Sequence, residues 1–293
     1  MADGARERAG YLGPGGTFSE EALLESALPD AVEPVACVTI YDTIAALRRG
    51  ELEWAVVPIE NSLEGSVSVT LDMLAGEARD VEIVGEALLR VRHSLIAAEE
   101  LDLDEIDTVL THPQVPGQCT RFLRGELAHA QVLAASSTAE AVRIVSSSPG
   151  SGRAALGTPL AARIYGGRVL REGVQDREDN ETRFVWLARR GEGSRDPPLR
   201  DREGAPWRTS LLFWGAGAER PGWLLRCLEE FAAREINLTK IESRPLREGL
   251  GSYMFFVDLA GSTSEAGLGA ALEALAERCE EVRILGSYRT APR

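Results

Sequence analysis

The chain has 293 residues, room for two or three domains with an ordinary buried core. It is 44% hydrophobic and 27% charged, which excludes the disordered and fibrous classes. Its net charge of −14 makes nucleic acid a poor partner, because neutralising phosphates needs clustered lysine and arginine.

No apolar run approaches the roughly 18 residues of a membrane helix, and the start, Met1-Ala2-Asp3-Gly4-Ala5-Arg6-Glu7-Arg8, lacks the apolar stretch of a signal peptide. A cytoplasmic location without membrane association is therefore expected. Cys37, Cys119, Cys227 and Cys279 are widely spaced, which argues for reduced thiols over a disulfide framework or a zinc site. His93, His112 and His129 show no helical pair spacing, so no metal centre is expected.

In chain order, short apolar runs alternate with helical patterns from about Ala9 to Arg190, the rhythm of α/β units on a mostly parallel sheet. The expected strands are Gly10–Gly13, Ala31–Val38, Trp54–Ile59, Val81–Ala97, Thr108–His112, Gln131–Ala135, Ala154–Gly157 and Thr182–Ala188. A helix from near Ile40 carries Ile44, Ala45 and Leu47 on one side, and one from near Thr138 carries Ala139, Val142 and Val145 at helical spacing. Residues 191–206, with Gly191, Gly193, Ser194, Pro197, Pro198, Gly204 and Pro206 among mixed charges, form a linker. Beyond it come a strand Thr209–Trp214, a helix Gly222–Arg234 with Leu224, Leu228, Phe231 and Ala232 on one face, strands Ile236–Arg244 and Tyr253–Leu259, a helix marked by Leu268, Leu272, Leu275 and Cys279, and a strand Val282–Ser287. The order βαββαβ in about eighty residues is that of a ferredoxin-like unit.

Four strand ends break into turns rich in Gly, Ser, Thr or Asn just before a helix: Gly13–Ser19, Pro58–Gly65, Ala135–Ala139 and Gly157–Pro159. Each supplies capping groups and leaves backbone N–H groups without partners. Converging at the carboxyl ends of neighbouring strands, such turns make an anion site. One helix N-terminus is worth roughly 0.3–1 kcal/mol to an anion, and the repulsion of an acidic surface is screened beyond about 8 Å at physiological salt. Local donors outweigh the global charge.

Individually these motifs are ambiguous. The turn Gly13–Phe18 lacks the glycine of a dinucleotide fingerprint at Phe18 and the Gly-Lys-Ser/Thr ending of a P-loop, which excludes both forms of nucleotide binding and leaves a tight turn or an anion-binding one. Glu60 is either an exposed capping-segment carboxylate or, if desolvated, a general acid. His112 lies between a strand and a helix, where backbone commonly satisfies a histidine, and Cys119 reads as a packed helix residue because no activating base accompanies it. Asp179-Asn180-Glu181-Thr182-Arg183-Phe184-Val185-Trp186-Leu187 places a hydroxyl, a fixed cation and an aromatic ring at the mouth of a strand. Alternation sends Thr182 and Phe184 to one face and Arg183 to the other, so one of the three is expected to have a structural role.

Taken together, Gly13-Pro14-x-Gly16-Thr17-Phe18-Ser19, Pro58-Ile59-Glu60-Asn61-Ser62-x-x-Gly65, His112-Pro113-Gln114 with Gln118-Cys119, Ser137-Thr138-Ala139 and Asn180-x-Thr182-Arg183-Phe184 resemble the prephenate dehydratase family along nearly the whole chain. The C-terminal part resembles an ACT regulatory domain through Pro221-Gly222 and through Asn237-Leu238-Thr239 running into Glu242-Ser243-Arg244-Pro245. The resemblance implies an α/β, two-lobed catalytic domain of periplasmic-binding-protein type II over residues 9–190, with lobes of about 9–85 plus 166–190 and 86–165. A linker at 191–206 and a ferredoxin-like ACT domain at 207–288 complete the expected organisation.

By the same resemblance the substrate is prephenate, the product phenylpyruvate, no cofactor is needed, and L-phenylalanine binds the ACT domain between subunits of a homodimer or homotetramer as feedback inhibitor. Thr182, Arg183 and Phe184 are the implied catalytic residues. Thr17, Ser19, Asn61, Ser62, Gln114, Gln118, Ser137 and Thr138 are the implied substrate ligands, with Arg183 and the helix N-termini on carboxylates, Thr182 on the leaving hydroxyl, and Glu60, His112 or water as proton source. The implied effector residues are Gly222, Trp223, Leu224, Asn237, Leu238, Glu242, Ser243 and Arg244. Trp223 departs from the small residue usual there and reads either as a subunit contact or exposed ring, or as a reshaping of the effector pocket. With only about nine residues ahead of the unit, the chorismate mutase domain of some relatives is expected to be missing. Arogenate dehydratase and a non-catalytic amino-acid sensor are the competing functions.

Overall fold

The computed structural model describes residues 6–191, 196–200, 202–215, 217, 220–247 and 249–292. The first five residues, and Gly193 and Ser194 of the expected linker, lie outside the described residues. Three sheets organise the rest. Strands β1 (Glu7–Leu12), β2 (Val32–Cys37) and β3 (Trp54–Asn61) alternate with helices α1 (Phe18–Ser26) and α2 (Ile40–Arg48), followed by the short β4 (Gly65–Ser66), α3 (Ser68–Ala75) and β5 (Val81–Arg90). The chain then builds a second sheet from β6 (Ser94–Ala97), β7 (Thr108–Thr111), α4 (Thr120–Glu126), β8 (Gln131–Ala134), α5 (Thr138–Ser146), β9 (Arg153–Gly157), α6 (Pro159–Tyr165) and β10 (Arg168–Arg171). Strand β11 (Glu181–Arg189) returns to the first sheet.

The sheet order β2-β1-β3-β11-β5 explains why a mostly parallel sheet is not what forms. β5 leaves for the second sheet, and β11, coming back, enters between β3 and β5 in the opposite direction, antiparallel to both. The second sheet, β10-β6-β9-β7-β8, is likewise mixed: β7 runs parallel to β8 and β9, whereas β6 is antiparallel to β9 and β10. The expected single strand Val81–Ala97 is therefore two strands in two sheets. The crossings fall at residues 91–93 and 172–180 rather than at the expected lobe limits of 85–86 and 165–166.

Capping follows the sequence at three of the four expected turns; after Pro58–Gly65, α3 starts behind Val67 with no side-chain cap. Thr17, Thr39, Ser137 and Thr158 each accept a backbone N–H of their helix's first turn, satisfying one of the donors a helix start leaves free. On α5, Ala139, Val142 and Val145 are buried as their spacing predicts. On α2 the buried set is Thr43, Ile44, Ala46 and Leu47, so the inward face is turned away from Ala45.

The C-terminal part has β12 (Trp207–Trp214), α7 (Trp223–Ala232), β13 (Leu238–Pro245), β14 (Tyr253–Ala260), α8 (Ala266–Ala276) and β15 (Glu281–Arg289), the expected βαββαβ order. Its antiparallel sheet has the order β13-β14-β12-β15. Cys279, expected on the second helix, follows its end. The buried side of α7 is Trp223, Cys227 and Phe231, with Leu224 and Leu228 only partly covered. One face of this sheet packs on the first sheet, where Leu212, Phe256, Leu285 and Tyr288 share a core with Ile83, Val185 and Leu187. Among the described residues no helix is long and apolar enough to cross a membrane.

Candidate active site

A cavity of about 810 Å³ opens between the first two sheets. Three of the four expected turns meet in it: Gly13, Pro14 and Thr17 to Ser19 after β1, Asn61 and Glu64 to Val67 after β3, and Ser136 to Thr138 after β8. The fourth does not. Thr158 is fully buried and donates its hydroxyl to the carbonyl of Gly16 at 2.7 Å, and the Tyr165 hydroxyl donates to the carbonyl of Gly15 at 2.8 Å. The glycine turn thus also joins the two lobes. Gly16 has φ +85°, and a Cβ there would lie 2.7 Å from the Ala161 Cα, so no larger residue fits this approach.

The cavity is lined mainly by dipoles, with Glu64 the one carboxylate among its described lining residues. Among the described residues that line it there is no lysine and no arginine. Helix geometry leaves the amides of Phe18 and Ser19 on α1, and of Thr138 and Ala139 on α5, without intrahelical acceptors, so the positive ends of two helices face the same space.

At the mouth of β11 a hydrogen-bond chain has a defined direction. The Asn61 Oδ1 accepts from the backbone N–H groups of Leu63 and Glu64, both at 2.9 Å. Its Nδ2 must then donate, and it does so to Thr182 Oγ1 at 2.9 Å, to Asn180 Oδ1 at 2.9 Å and to the Glu181 carbonyl at 3.2 Å. Asn180 Nδ2 donates to Gln118 Oε1 at 3.2 Å, which leaves His93 Nε2 as the donor to that same oxygen at 3.1 Å. His93 is 1% exposed; burial pushes its pKa down against the opposing effect of the Gln118 bond, so the ring is neutral with Nδ1 as a bare acceptor. The consequence for Thr182 is specific: its oxygen receives the Asn61 proton, and its own hydrogen is free to be donated into the cavity.

Four expected site residues are elsewhere. Arg183 points to the opposite face of β11, where its side chain is 6% exposed and pairs with Asp258 at 2.6 Å, Glu60 at 3.1 Å and Glu86 at 3.5 Å. Burial works against its charge, and the surrounding carboxylates more than offset this, holding the guanidinium above its ordinary pKa. Phe184 is 2% exposed in the core against α1, packed with Leu23, Trp54 and Trp186. Glu60 pairs with Arg183 and Lys240 and lines a different cavity, as does Ser62, which bonds the backbone of Asp179 and Glu181. Strand alternation explains the place of Arg183, and β3 alternation moves Glu60 away from Asn61 in the same way; Phe184 shares the Thr182 face but lies two residues further along β11, inside the core under α1.

The family profile described as prephenate dehydratase matches residues 9–192. A prephenate dehydratase of Amycolatopsis methanolica is 41% identical over 287 residues, covering 97% of this chain and 89% of that protein. The chain belongs to the prephenate dehydratase family. Among solved structures, the prephenate dehydratase from Arthrobacter aurescens in complex with L-Phe has a TM-score of 0.84 at 34% identity, covering 96% of this chain and 89% of that one. A structure described as GqqA, a novel type of quorum quenching acylase, also has a TM-score of 0.84, at 30% identity with 97% and 98% covered.

Eight of the residues that resemblance to this family implied do line the cavity: Thr17, Ser19, Asn61, Gln114, Gln118, Ser137, Thr138 and Thr182. His112 lines it too, with its Nδ1 accepting the Gln114 amide at 3.4 Å. Cys119 is fully buried and its thiol is pushed up to about 12 by burial and by Asp176, an inert packing residue. His93 and Ser66 were not singled out from the sequence; a lone histidine inside an apolar run carries no local signal, and its partner Gln118 is 25 residues away.

In the C-terminal part, Trp223 is not an exposed ring. It is 6% exposed, lies 6.0 Å from the Phe213 ring and 6.1 Å from the Phe255 ring, and donates Nε1 to the Arg278 carbonyl. Gly222 caps α7 in the left-handed region at φ +78°, Leu224 is half-buried beside Trp223, and Asn237 offers its carbonyl to Ala260. Along β13, Leu238 and Glu242 are half-buried and Ser243 is exposed; Glu242 accepts from the Ser66 hydroxyl at 3.1 Å and Arg244 pairs with Asp72 at 2.8 Å. The implied effector strand therefore touches the segment that lines the cavity.

Proposed function

We propose that the chain converts prephenate to phenylpyruvate, CO2 and water in this cavity, as a cytoplasmic enzyme of L-phenylalanine biosynthesis that needs no cofactor. The ring-to-carboxylate bond breaks, its electron pair enters the ring, and the bond to the para hydroxyl breaks as that oxygen leaves; with one proton it departs as water. Aromatisation drives the step. The two helix N-termini hold the carboxylates in place of Arg183, and Thr182 donates a hydrogen bond to the departing oxygen. The observation that carries this reading is the Asn61 amide donating to Thr182 Oγ1, which engages that oxygen as an acceptor and leaves its hydroxyl hydrogen for substrate. With Glu60 paired outside the cavity, His112 and water remain of the expected proton sources.

Residues 9–190 form the catalytic domain in this reading, 191–206 the linker, and 207–288 an ACT domain that binds L-phenylalanine between subunits of a homodimer or homotetramer and inhibits the enzyme. The L-Phe complex of the Arthrobacter relative supports the effector, and the contacts of Lys240, Glu242 and Arg244 with Glu60, Ser66 and Asp72 support a route to the cavity. Amide hydrolysis, suggested by the acylase neighbour, is less well supported. Among the described cavity residues the two histidines bond to Gln118 and to the Gln114 amide, whereas an activated hydroxyl nucleophile needs such a base.

The test is phenylpyruvate formation by the purified protein from prephenate, with arogenate as a parallel substrate and with and without L-phenylalanine. Turnover of prephenate suppressed by phenylalanine is expected. Turnover of arogenate alone would reassign the substrate, and binding without turnover of either would support a sensor.

A further inference from the structure

Behind the strand that carries Thr182, on the face away from the cavity, lies a cluster of charges that the reaction does not use. Arg183 is its centre. The side chains of Arg183, Asp258 and Glu86 are 6%, 7% and 1% exposed, respectively. Glu86 Oε2 also accepts from Arg208 at 2.5 Å, and its Oε1 accepts the Ala291 amide at 3.1 Å. Asp258 Oδ1 accepts from the Ser210 hydroxyl at 2.5 Å, which is itself 2.9 Å from the Tyr288 hydroxyl. Asp258 stands on β14, in the C-terminal unit, so the shortest ion pair of Arg183 reaches across to the other half of the molecule.

The backbone around Arg183 gives this contact leverage. Thr182 pairs with Asn61 of β3, but the β11–β3 register shifts between Arg183 and Phe184. On its other edge the strand end pairs with β5 in unbroken register from Glu181 to Trp186, so the irregularity bears on the β3 side alone, where Thr182 meets Asn61 and Arg183 meets Glu60. Successive side chains leave a strand on opposite faces. Fixing Arg183 to a buried carboxylate on one face therefore sets Thr182 against Asn61 on the other.

We propose that Asp258 is a positioning residue for the dehydration: through Arg183 it holds the end of β11 so that the Thr182 hydroxyl meets the leaving oxygen. This rests on the reading of Thr182 given above. Asp258 touches no residue that lines the cavity through its own side chain, so its loss is expected in kcat and not in KM.

The experiment is steady-state kinetics on prephenate with Asp258→Asn, Asp258→Glu, the double variant Arg183→Met with Asp258→Leu, and Thr182→Ala, each checked for folding by thermal unfolding. Asp258→Asn is expected to lower kcat about 10- to 100-fold, the scale of a misplaced catalytic group, with KM within about twofold and Asp258→Glu recovering part of the rate. Since Asp258→Asn leaves Arg183 short of a partner and can unfold the chain, the double variant decides in that event: replacing both members of a buried pair by apolar groups preserves folding. A folded double variant with low kcat supports the proposal. Wild-type kcat in folded Asp258→Asn, or in the double variant, overturns it. Full activity in Thr182→Ala overturns the reading of the cavity instead, whatever Asp258 does.

Discussion

Thr182 and Arg183 are adjacent in sequence and occupy opposite chemical worlds. On the Thr182 side the cavity is built mainly from hydroxyls, amides, imidazole and helix ends, with Glu64 as the one carboxylate and no lysine or arginine among the described lining residues. On the Arg183 side, buried full charges face each other at 2.6 to 3.5 Å. The difference teaches what each kind of interaction is suited to. Preorganised dipoles act on a ligand that must arrive and leave, and they cost no reorganisation at the moment of reaction. Buried charge pairs are geometrically strict and strongly penalised when one partner is lost, which suits a permanent junction between two halves of a chain.

Variants can break this comparison. The largest expected effect is on the charged side: Arg183→Met strands Asp258, while Glu86 keeps Arg208, and should lower unfolding free energy by about 3–5 kcal/mol, measured by denaturant titration. Next, on the cavity side, Asn61→Leu removes the donor that orients Thr182 and should slow turnover by about 10- to 100-fold, the scale of about 1–3 kcal/mol for an unsatisfied polar group; an unchanged kcat would detach Asn61 from the mechanism.

A smaller effect involves pH. Burial, and then Glu25, push the Glu21 carboxyl up to about 7, with Arg163 acting in the opposite sense. Its unfolded value is near 4.5, so the native state binds the proton more tightly. The stability associated with the neutral carboxyl is complete below about pH 4.5 and lost as pH rises through about 7. Glu21→Gln should therefore be more stable than the parent at pH 8, by about 1–2 kcal/mol after solvent screening, and indistinguishable at pH 4. The smallest effect is expected at Arg247, exposed and paired with Asp72 at 2.7 Å; Arg247→Ala should leave the melting temperature unchanged.

Much of the cavity was legible because its signals are local. A capping hydroxyl, a glycine turn and a Thr-Arg-Phe step each declare themselves within a few residues, and Thr17, Ser137 and Thr182 line the cavity accordingly. Alternation even indicated that Arg183 leaves on the other face. What waits there, Asp258, is 75 residues further along the chain, and no local pattern announces it. The same limit applies to the break in Val81–Ala97: both pieces are apolar strands, and periodicity does not say which sheet a strand joins. Arg168–Arg171, absent from the expected strands, has only four residues with arginine at both ends, too short a run to show an alternating pattern. Trp223 was read either as a subunit contact or exposed ring or as a reshaping of the effector pocket; the aromatic rings of Phe213 and Phe255, distant in sequence, draw it into the core.

The central claim is that the Thr182 hydroxyl, oriented by Asn61, acts on the leaving oxygen. Its most direct test is kcat for phenylpyruvate formation by Thr182→Ala beside Thr182→Ser. The predicted result is a loss of about 10²–10³ in the alanine variant with much of the rate kept by serine. Equal damage in both variants would contradict it, because serine retains the hydroxyl and lacks only the methyl group.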